Sequence, residues 1–358
     1  MGNDLNFVCP INKLGYGYTG FNFTKSLSAN LSIALFPLGN VDFSLLETDD
    51  TSQIIKTSIE NAKSYNKNAP CIRLWHQHDL SMFVGSNIHI GYPIFELDTF
   101  TSEEKHQLNS CDALFVCSEW AEKICRSNNI TVPIHIVPLG VDRSIFIDTE
   151  IKDGPTTFFN CGKWEIRKGH DILIKAWNKV FSDSDNVMLY MCNSNPFLSA
   201  EQTDFWKNLY KKQNIRIVNR LPTSQDVATM MSMMDCGVFP SRAEGWNLEA
   251  LEMLSSGKHL IITNYSAHTQ FCNSKNSLLI DIDTIESAND GIWFNNQGNW
   301  ASFGNKQIAQ LADYMRYIHE LKQKGKLARN VEGVNTANDF TWNNVSQILI
   351  GGLDVVSK

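Results

Sequence analysis

The chain has 358 residues, 43% of them hydrophobic and 19% charged, with a formal net charge of −7. That is enough apolar material for two domains with cores of their own. The acid excess disfavours a general electrostatic grip on nucleic acid; the first 147 residues carry 10 Lys+Arg against 15 Asp+Glu and the rest 21 against 23, so neither part is a basic module. Nine cysteines stand singly, with no C-x-x-C pair, and several lie in apolar runs. They read as buried reduced thiols, which fits a cytoplasmic, reducing compartment. The opening Met1-Gly2-Asn3-Asp4-Leu5-Asn6 lacks a basic n-region and a long apolar core. No apolar run approaches the ~18 residues of a membrane span, which leaves peripheral membrane contact open.

Short apolar runs at 5–11, 31–37, 71–75, 87–94, 113–117 and 134–137 read as strands. A glycine-rich turn after the first of them feeds a helix, and further helices are expected at 50–63, 102–109 and 119–127. The alternation restarts after Asp142, with strands at 156–161, 187–192, 215–218, 236–239, 260–263 and 277–280. Helices at 170–181, 201–212, 224–233, 248–255 and 306–324 accompany them. Such alternation predicts two parallel α/β sheets, with a ligand in the cleft between them at the carboxyl ends of the strands. The charged segment 148–155, which holds a Gly and a Pro, is read as the linker. The expected domains are 1–147, 148–340 and a terminal helix over 341–358 that packs back on the first domain.

Four segments carry candidate chemistry. In the run from Phe239 to Glu252 a strand ends, a loop follows and a helix opens near Asn247 to close at Gly257. Glu244 therefore lies in the loop and Glu252 two turns into the helix, and the free amides from Gly245 through Trp246 and Asn247 to Leu248 offer an anion site. The run from Asn160 to Trp177 is a strand ending at Gly162, a loop with Lys163, Arg167 and Lys168, and an amphipathic helix. Pro10 to Gly20 contains a turn with Gly15 and Gly17 after the first strand. Finally, His76 and His78 follow the third strand, and Glu96 follows the fourth. The two histidines could ligate a metal, be structural, or line a ligand site; no further His or Cys stands at a matching spacing, so no metal is assigned. Asp281 and Asp283, a D-x-D pair, read as a loop.

Glu244 and Glu252, with Pro240-Ser241 before them and Gly257 after, resemble the signature of retaining glycosyltransferases of family 4. Gly162-Lys163 and Lys168-Gly169 look like that family's Gly-Arg and Lys-Gly, with lysine replacing the usual arginine and its fork. Val137 to Asp142 resembles the interdomain segment, and Phe340-Thr341-Trp342 the start of the last helix. The resemblance runs over residues ~5 to ~350 and is stronger in the second half. It implies a GT-B fold, two Rossmann-like doubly wound domains facing each other across a cleft. It implies a cytoplasmic enzyme that moves a sugar, with retention, from a UDP- or GDP-sugar to a glycan or other hydroxyl acceptor, without metal or cofactor. Glu244 would hold donor-sugar hydroxyls, Glu252 the ribose, Lys163 and Lys168 the diphosphate. Gly15, Gly17 and Gly162 would pack near the donor, and main chain at Leu221 would meet the base. Asn247, where the family commonly has Gly, could touch the sugar. A subset of the family has Glu at the edge of Ile90 to Asp98, which implies that Glu96 or His78 lines the acceptor site. A GT-B phosphorylase or nucleotide-sugar epimerase, and an inactive glycan- or nucleotide-binding module, are the alternatives.

Overall fold

The computed structural model describes residues 2–42, 44, 49–85 and 87–356; Met1 of the opening segment and the end of the expected terminal helix lie outside the described residues. The chain divides into two compact units, Met1–Gly140 with Phe340–Lys358, and Val141–Asp339.

The first unit runs β1 (Leu5–Cys9), α1 (Gly15–Leu27), β2 (Ile33–Pro37), α2 (Asp49–Asn61), β3 (Cys71–Arg73), β4 (His89–Gly91), α3 (Ser102–Asn109), β5 (Ala113–Val116), α4 (Glu119–Ser127) and β6 (Ile134–Ile136). The strands pair in the order β2-β1-β3-β4-β5-β6, all parallel. β1 and β5 are buried along their whole length, which is why they are uninterrupted apolar runs rather than alternating ones. Local chemistry starts the helices: Thr101 and Glu104 form a reciprocal cap on α3, and the Ser118 hydroxyl accepts from Ala121 N on α4.

The second unit runs β7 (Thr156–Gly162), α5 (His170–Val180), β8 (Val187–Asn193), α6 (Ala200–Leu209), β9 (Ile215–Ile217), α7 (Ser224–Ser232), β10 (Cys236–Phe239), α8 (Leu248–Ser255), β11 (His259–Thr263) and β12 (Leu278–Ile280). A hairpin of β13 (Ile285–Asn289) and β14 (Asn295–Ala301), then α9 (Asn305–Gln323) and α10 (Val331–Asp339), complete it. Its parallel sheet has the order β12-β11-β10-β7-β8-β9, the doubly wound order in which the winding reverses between the first and fourth strands. Trp177, Phe158 and Leu189 lie in its core, against Met315 and Ile318 from α9.

The antiparallel hairpin and α10 have no counterpart in the sequence-based expectation. The segment 148–155, expected as a linker, instead lies within the second unit. Thr149 N donates to Ser256 O at 3.2 Å, and Lys258 Nζ donates to Glu150 O at 3.1 Å. Charge and a Gly-Pro pair mark exposed chain, but they do not say whether that chain is tied down.

α9 is anchored by an ion pair: Lys322 Nζ lies 2.6 Å from Asp235, whose residue is fully buried at the start of β10. Removing one partner of a buried pair strands the other charge. Lys322→Ala is therefore expected to destabilise the fold by about 3 kcal/mol, measurable by denaturant unfolding. Asp235 keeps Thr157 N and Oγ1 as donors at 2.7 and 3.1 Å, which limits the loss.

The last helix, α11 (Trp342–Val356), belongs to the first unit. Trp342 packs edge-on against Phe23 with ring centroids 5.2 Å apart, its carbonyl accepts from Ser26 Oγ, and a Cβ at Gly140 would lie 2.7 Å from its amide nitrogen.

Candidate functional site

In the second unit, two loops leave the sheet where the winding reverses: residues 163–169 after β7 and 240–247 after β10. Open α/β sheets bind ligands at such points. Gly169 lets the two loops touch. Its φ is +73°, and a Cβ there would fall 1.9 Å from Pro240 O, so any side chain would force them apart. Arg242 N donates to Arg167 O at 2.7 Å, and the Arg242 guanidinium grips Asp171 with two nitrogens at 2.8 and 3.0 Å.

Glu244 is the hub of this region. Only 4% exposed, its carboxylate accepts from Arg167 Nη1 at 2.7 Å, from Lys168 Nζ at 2.8 Å and from Ser241 Oγ at 2.8 Å. Its amide donates to Ser266 Oγ at 2.9 Å. Arg167 also holds Glu165 at 2.9 Å and Ala243 O at 2.8 Å. Burial alone would raise the Glu244 pKa, but Arg167 and Lys168 outweigh it and keep the carboxyl ionised well below the usual carboxylate range. Burial likewise works against the Lys168 charge, and Glu244 and Glu249 overcome it, so its pKa is raised. Arg167 thus ties Glu244, Glu165 and the Ala243 carbonyl together.

Glu252 is in the opposite condition. It is 7% exposed on α8, yet no described residue hydrogen-bonds its carboxyl. Burial, then the neighbouring Glu249 carboxylate, pushes its pKa well above the ordinary value. Glu249 itself reaches toward the β7 end, where a Cβ at Gly162 would lie 3.7 Å from Lys168 Nζ and 3.8 Å from Glu249 Oε1.

The Asn247 amide is occupied within the loop. Its Oδ1 caps α8 by accepting from Ala250 N at 3.1 Å, and its Nδ2 lies 3.0 Å from His268 Nε2. His268 Nδ1 lies 3.0 Å from Thr263 O, so the ring donates there and accepts from Asn247. Burial lowers its pKa to about 4. These two contacts fix the orientation of the Asn247 side chain, and its Nδ2 keeps a second proton to donate. Its φ of +93° explains why glycine would also fit. The neighbouring Trp246 ring packs on Phe271 at 5.0 Å, Gly245 is buried, and Leu248 begins α8 with Glu249 in its first turn. Amides of a first helical turn have no helical acceptors, so they suit an anion.

Lys163 Nζ sits 5.2 Å from the Phe197 ring. The Leu221 main chain lies against Cys192 beyond β9. The structure thus gathers Gly162, Lys163, Lys168, Glu244, Asn247, Leu248 and Glu252 around the two loops, with Leu221 at the neighbouring strand end. Arg167, Glu165, Ser241, Ser266, His268 and Glu249 complete it.

In the first unit, Gly15 and Gly17, expected in a turn, instead lie in the first turn of α1, and this helix start meets the histidine segment where the winding reverses, between β1 and β3. A Cβ at Gly17 would fall 2.3 Å from Asn12 Oδ1, while Gly15 has open space. Between them, Tyr16 packs on Trp75 at 5.4 Å and on His76 at 4.6 Å, and its hydroxyl donates to Ile94 O at 2.6 Å. His76 and His78 stack at 5.3 Å. Glu96 is close enough to act electrostatically on the Tyr16 hydroxyl. Among the described residues no three His, Cys, Asp or Glu side chains gather as metal ligands, and no helix is long and apolar enough to cross a membrane.

A model of the family described as glycosyl transferases group 1 matches residues 141–324. No curated protein matches the sequence. Among solved structures, sucrose-phosphate synthase from Thermosynechococcus elongatus is similar over 98% of this chain and 98% of its own, at 13% identity and a TM-score of 0.69. The Anabaena protein HepE, solved with UDP and glucose, is similar over 98% and 99%, at 11% identity and a TM-score of 0.70. A glycosyltransferase from Rickettsia africae covers 99% and 98%, at 13% identity and a TM-score of 0.67. These likenesses show the fold, which is GT-B.

Proposed function

We propose that this chain, which belongs to the family of glycosyl transferases group 1, is a retaining glycosyltransferase that uses a UDP- or GDP-sugar and a hydroxyl acceptor such as a glycan. The glycosyltransferase class follows from the family; donor, retention and residue roles are our reading. The observation that carries it is the pairing of opposites on one loop and the helix it opens: Glu244 held ionised by two cations, and Glu252 buried on α8 with no described residue bonded to its carboxyl. A carboxyl in that state suits a ligand with two neighbouring hydroxyls, such as a ribose. HepE, of the same fold, holds UDP and glucose.

In this reading the donor diphosphate draws Lys168 from Glu244 and meets Lys163 and the first amides of α8. Cleavage of the bond from the sugar carbon to the diphosphate oxygen leaves charge on the phosphate, which these groups stabilise. The acceptor oxygen bonds the same carbon from the same face, and its proton passes to the departing phosphate oxygen. Glu244, freed on one oxygen and still held by Arg167, positions sugar hydroxyls. The proposal needs no metal or cofactor, because the cations and amides are built in. All nine cysteines are free thiols, in keeping with a cytoplasmic setting.

Calorimetric titration with UDP, GDP and ADP tests the donor. One nucleotide is expected to bind, and Lys168→Ala to weaken it by about tenfold, the worth of a charged hydrogen bond. Binding of none would remove the nucleotide-sugar reading.

A further inference from the structure

The β13–β14 hairpin is bolted to the back of the candidate site. Glu286 accepts from Arg242 Nε at 3.2 Å, from Trp300 Nε1 at 3.2 Å and from Ser302 Oγ at 2.9 Å. Ala301 N donates to Arg242 O at 2.9 Å, and the Phe294 ring lies 6.0 Å from the Arg167 guanidinium that holds Glu244. The tip is as firmly built. Asp290 Oδ1 accepts from the amides of Ile292, Trp293 and Phe294 at 2.9, 2.7 and 2.9 Å. Yet this fixed turn holds Trp293 out into solvent, 51% exposed. It packs edge-on at 5.6 Å against Phe197, itself 53% exposed, and Lys163 Nζ lies over the Phe197 ring.

We propose that Trp293 and Phe197 form a saccharide-binding platform at the rim of the candidate site, which seats a neutral sugar ring of the acceptor. The platform stands on its own geometry; only the word acceptor rests on the glycosyltransferase reading. The occupant follows from the chemistry around the rings. The hairpin contains no Lys or Arg, and its two acids are engaged, Glu286 by Arg242, Trp300 and Ser302 and Asp290 by the amides of the tip. The same hairpin exposes the uncharged amides Asn289, Asn295 and Asn296, with Asn289 Nδ2 donating to Asn296 Oδ1 at 3.0 Å. An aromatic face beside groups that both donate and accept matches a sugar ring, which has an apolar C–H face and a rim of hydroxyls. A polyanion or a lipid headgroup would find no Lys or Arg on the hairpin itself.

The test is saturation-transfer NMR on the full chain with the methyl glycosides of glucose, mannose and N-acetylglucosamine, with methyl glucuronide as charged comparator. UDP, GDP and ADP affinities are measured in parallel. At least one neutral glycoside is expected to receive saturation on its ring protons. Trp293→Ala should weaken that contact about five- to tenfold, Trp293→Tyr should restore most of it, and nucleotide affinity should stay the same. Three outcomes would overturn the platform: no neutral glycoside bound, binding indifferent to Trp293→Ala, or Trp293→Ala weakening nucleotide instead, which would make the rings a base stack. Sedimentation velocity adds a fourth: if Trp293→Ala dissolves a dimer and leaves glycoside binding intact, the rings cover a second copy. Glycoside binding without any nucleotide binding would leave the platform standing and remove the donor reading alone.

Discussion

Replacing Glu244 with alanine is expected to reduce sugar transfer by about a hundredfold or more and to destabilise the protein by about 3–5 kcal/mol. The two effects share one cause. The carboxylate is the counter-charge of both Arg167 and Lys168; its removal leaves Arg167 with Glu165 alone and Lys168 without its ion pair, and, in the proposed reading, costs the donor sugar its positioning group. A midpoint lower by on the order of 10 °C would report the first effect, and a fall in kcat at saturating donor the second. The stabilising share has a definite pH dependence. Because the folded pKa is depressed, the unfolded chain takes up a proton first as pH falls. The advantage of wild type over Glu244→Ala is therefore complete above the ordinary carboxylate pKa of about 4.3 and shrinks below it as pH falls through the folded value. Unaltered transfer and an unaltered midpoint would together remove Glu244 from the site.

Glu252→Gln is expected to behave in the reverse way: weaker nucleotide binding, by about ten- to a hundredfold, with greater stability at neutral pH. Here the folded pKa is raised. Between the unfolded value of about 4.3 and the folded one, the native state holds a proton that the unfolded chain has released, so stability falls as pH rises through that window. Glutamine, which does not ionise, escapes the loss. Wild type and variant should unfold alike near pH 4, and the variant should gain as pH rises. The same argument predicts proton release when ribose hydroxyls bond the carboxylate, seen as a binding enthalpy that changes with the buffer's ionisation heat. A variant less stable than wild type at pH 8 would mean that the carboxyl has a partner in the folded protein.

The parallel strands were legible because their burial on both faces leaves continuous apolar runs, as in Val238 and Phe239 or Leu260 to Ile262. The spacing of Glu244 and Glu252 was legible because a loop-to-helix junction sets both positions. What Arg167 does was not. It adjoins Lys168 in an irregular loop, where no period dictates side-chain direction, and its partner lies 77 residues away. His268 gives no signal at all, since its role comes from Asn247 and Thr263 meeting it in space. The β13–β14 hairpin escaped notice because its strands are amide-rich and lack the alternation that marks a half-buried sheet. The end of α8 shows the converse: the sequence placed its stop at Gly257, which takes a positive φ one residue past the cap.

Trp342, lodged against Phe23, Ser26 and Gly140, makes the first unit discontinuous in sequence. Expression of residues 1–140 alone would leave that slot, and the surface under Gly352 and Phe115, unfilled. Such a fragment would expose apolar rings that invite self-association. The second unit, residues 141–339, is one uninterrupted stretch and can be cut out as a single piece. Dissection of this protein is therefore asymmetric: the second unit is reached by plain truncation, while the first needs its last nineteen residues spliced back through a short bridge.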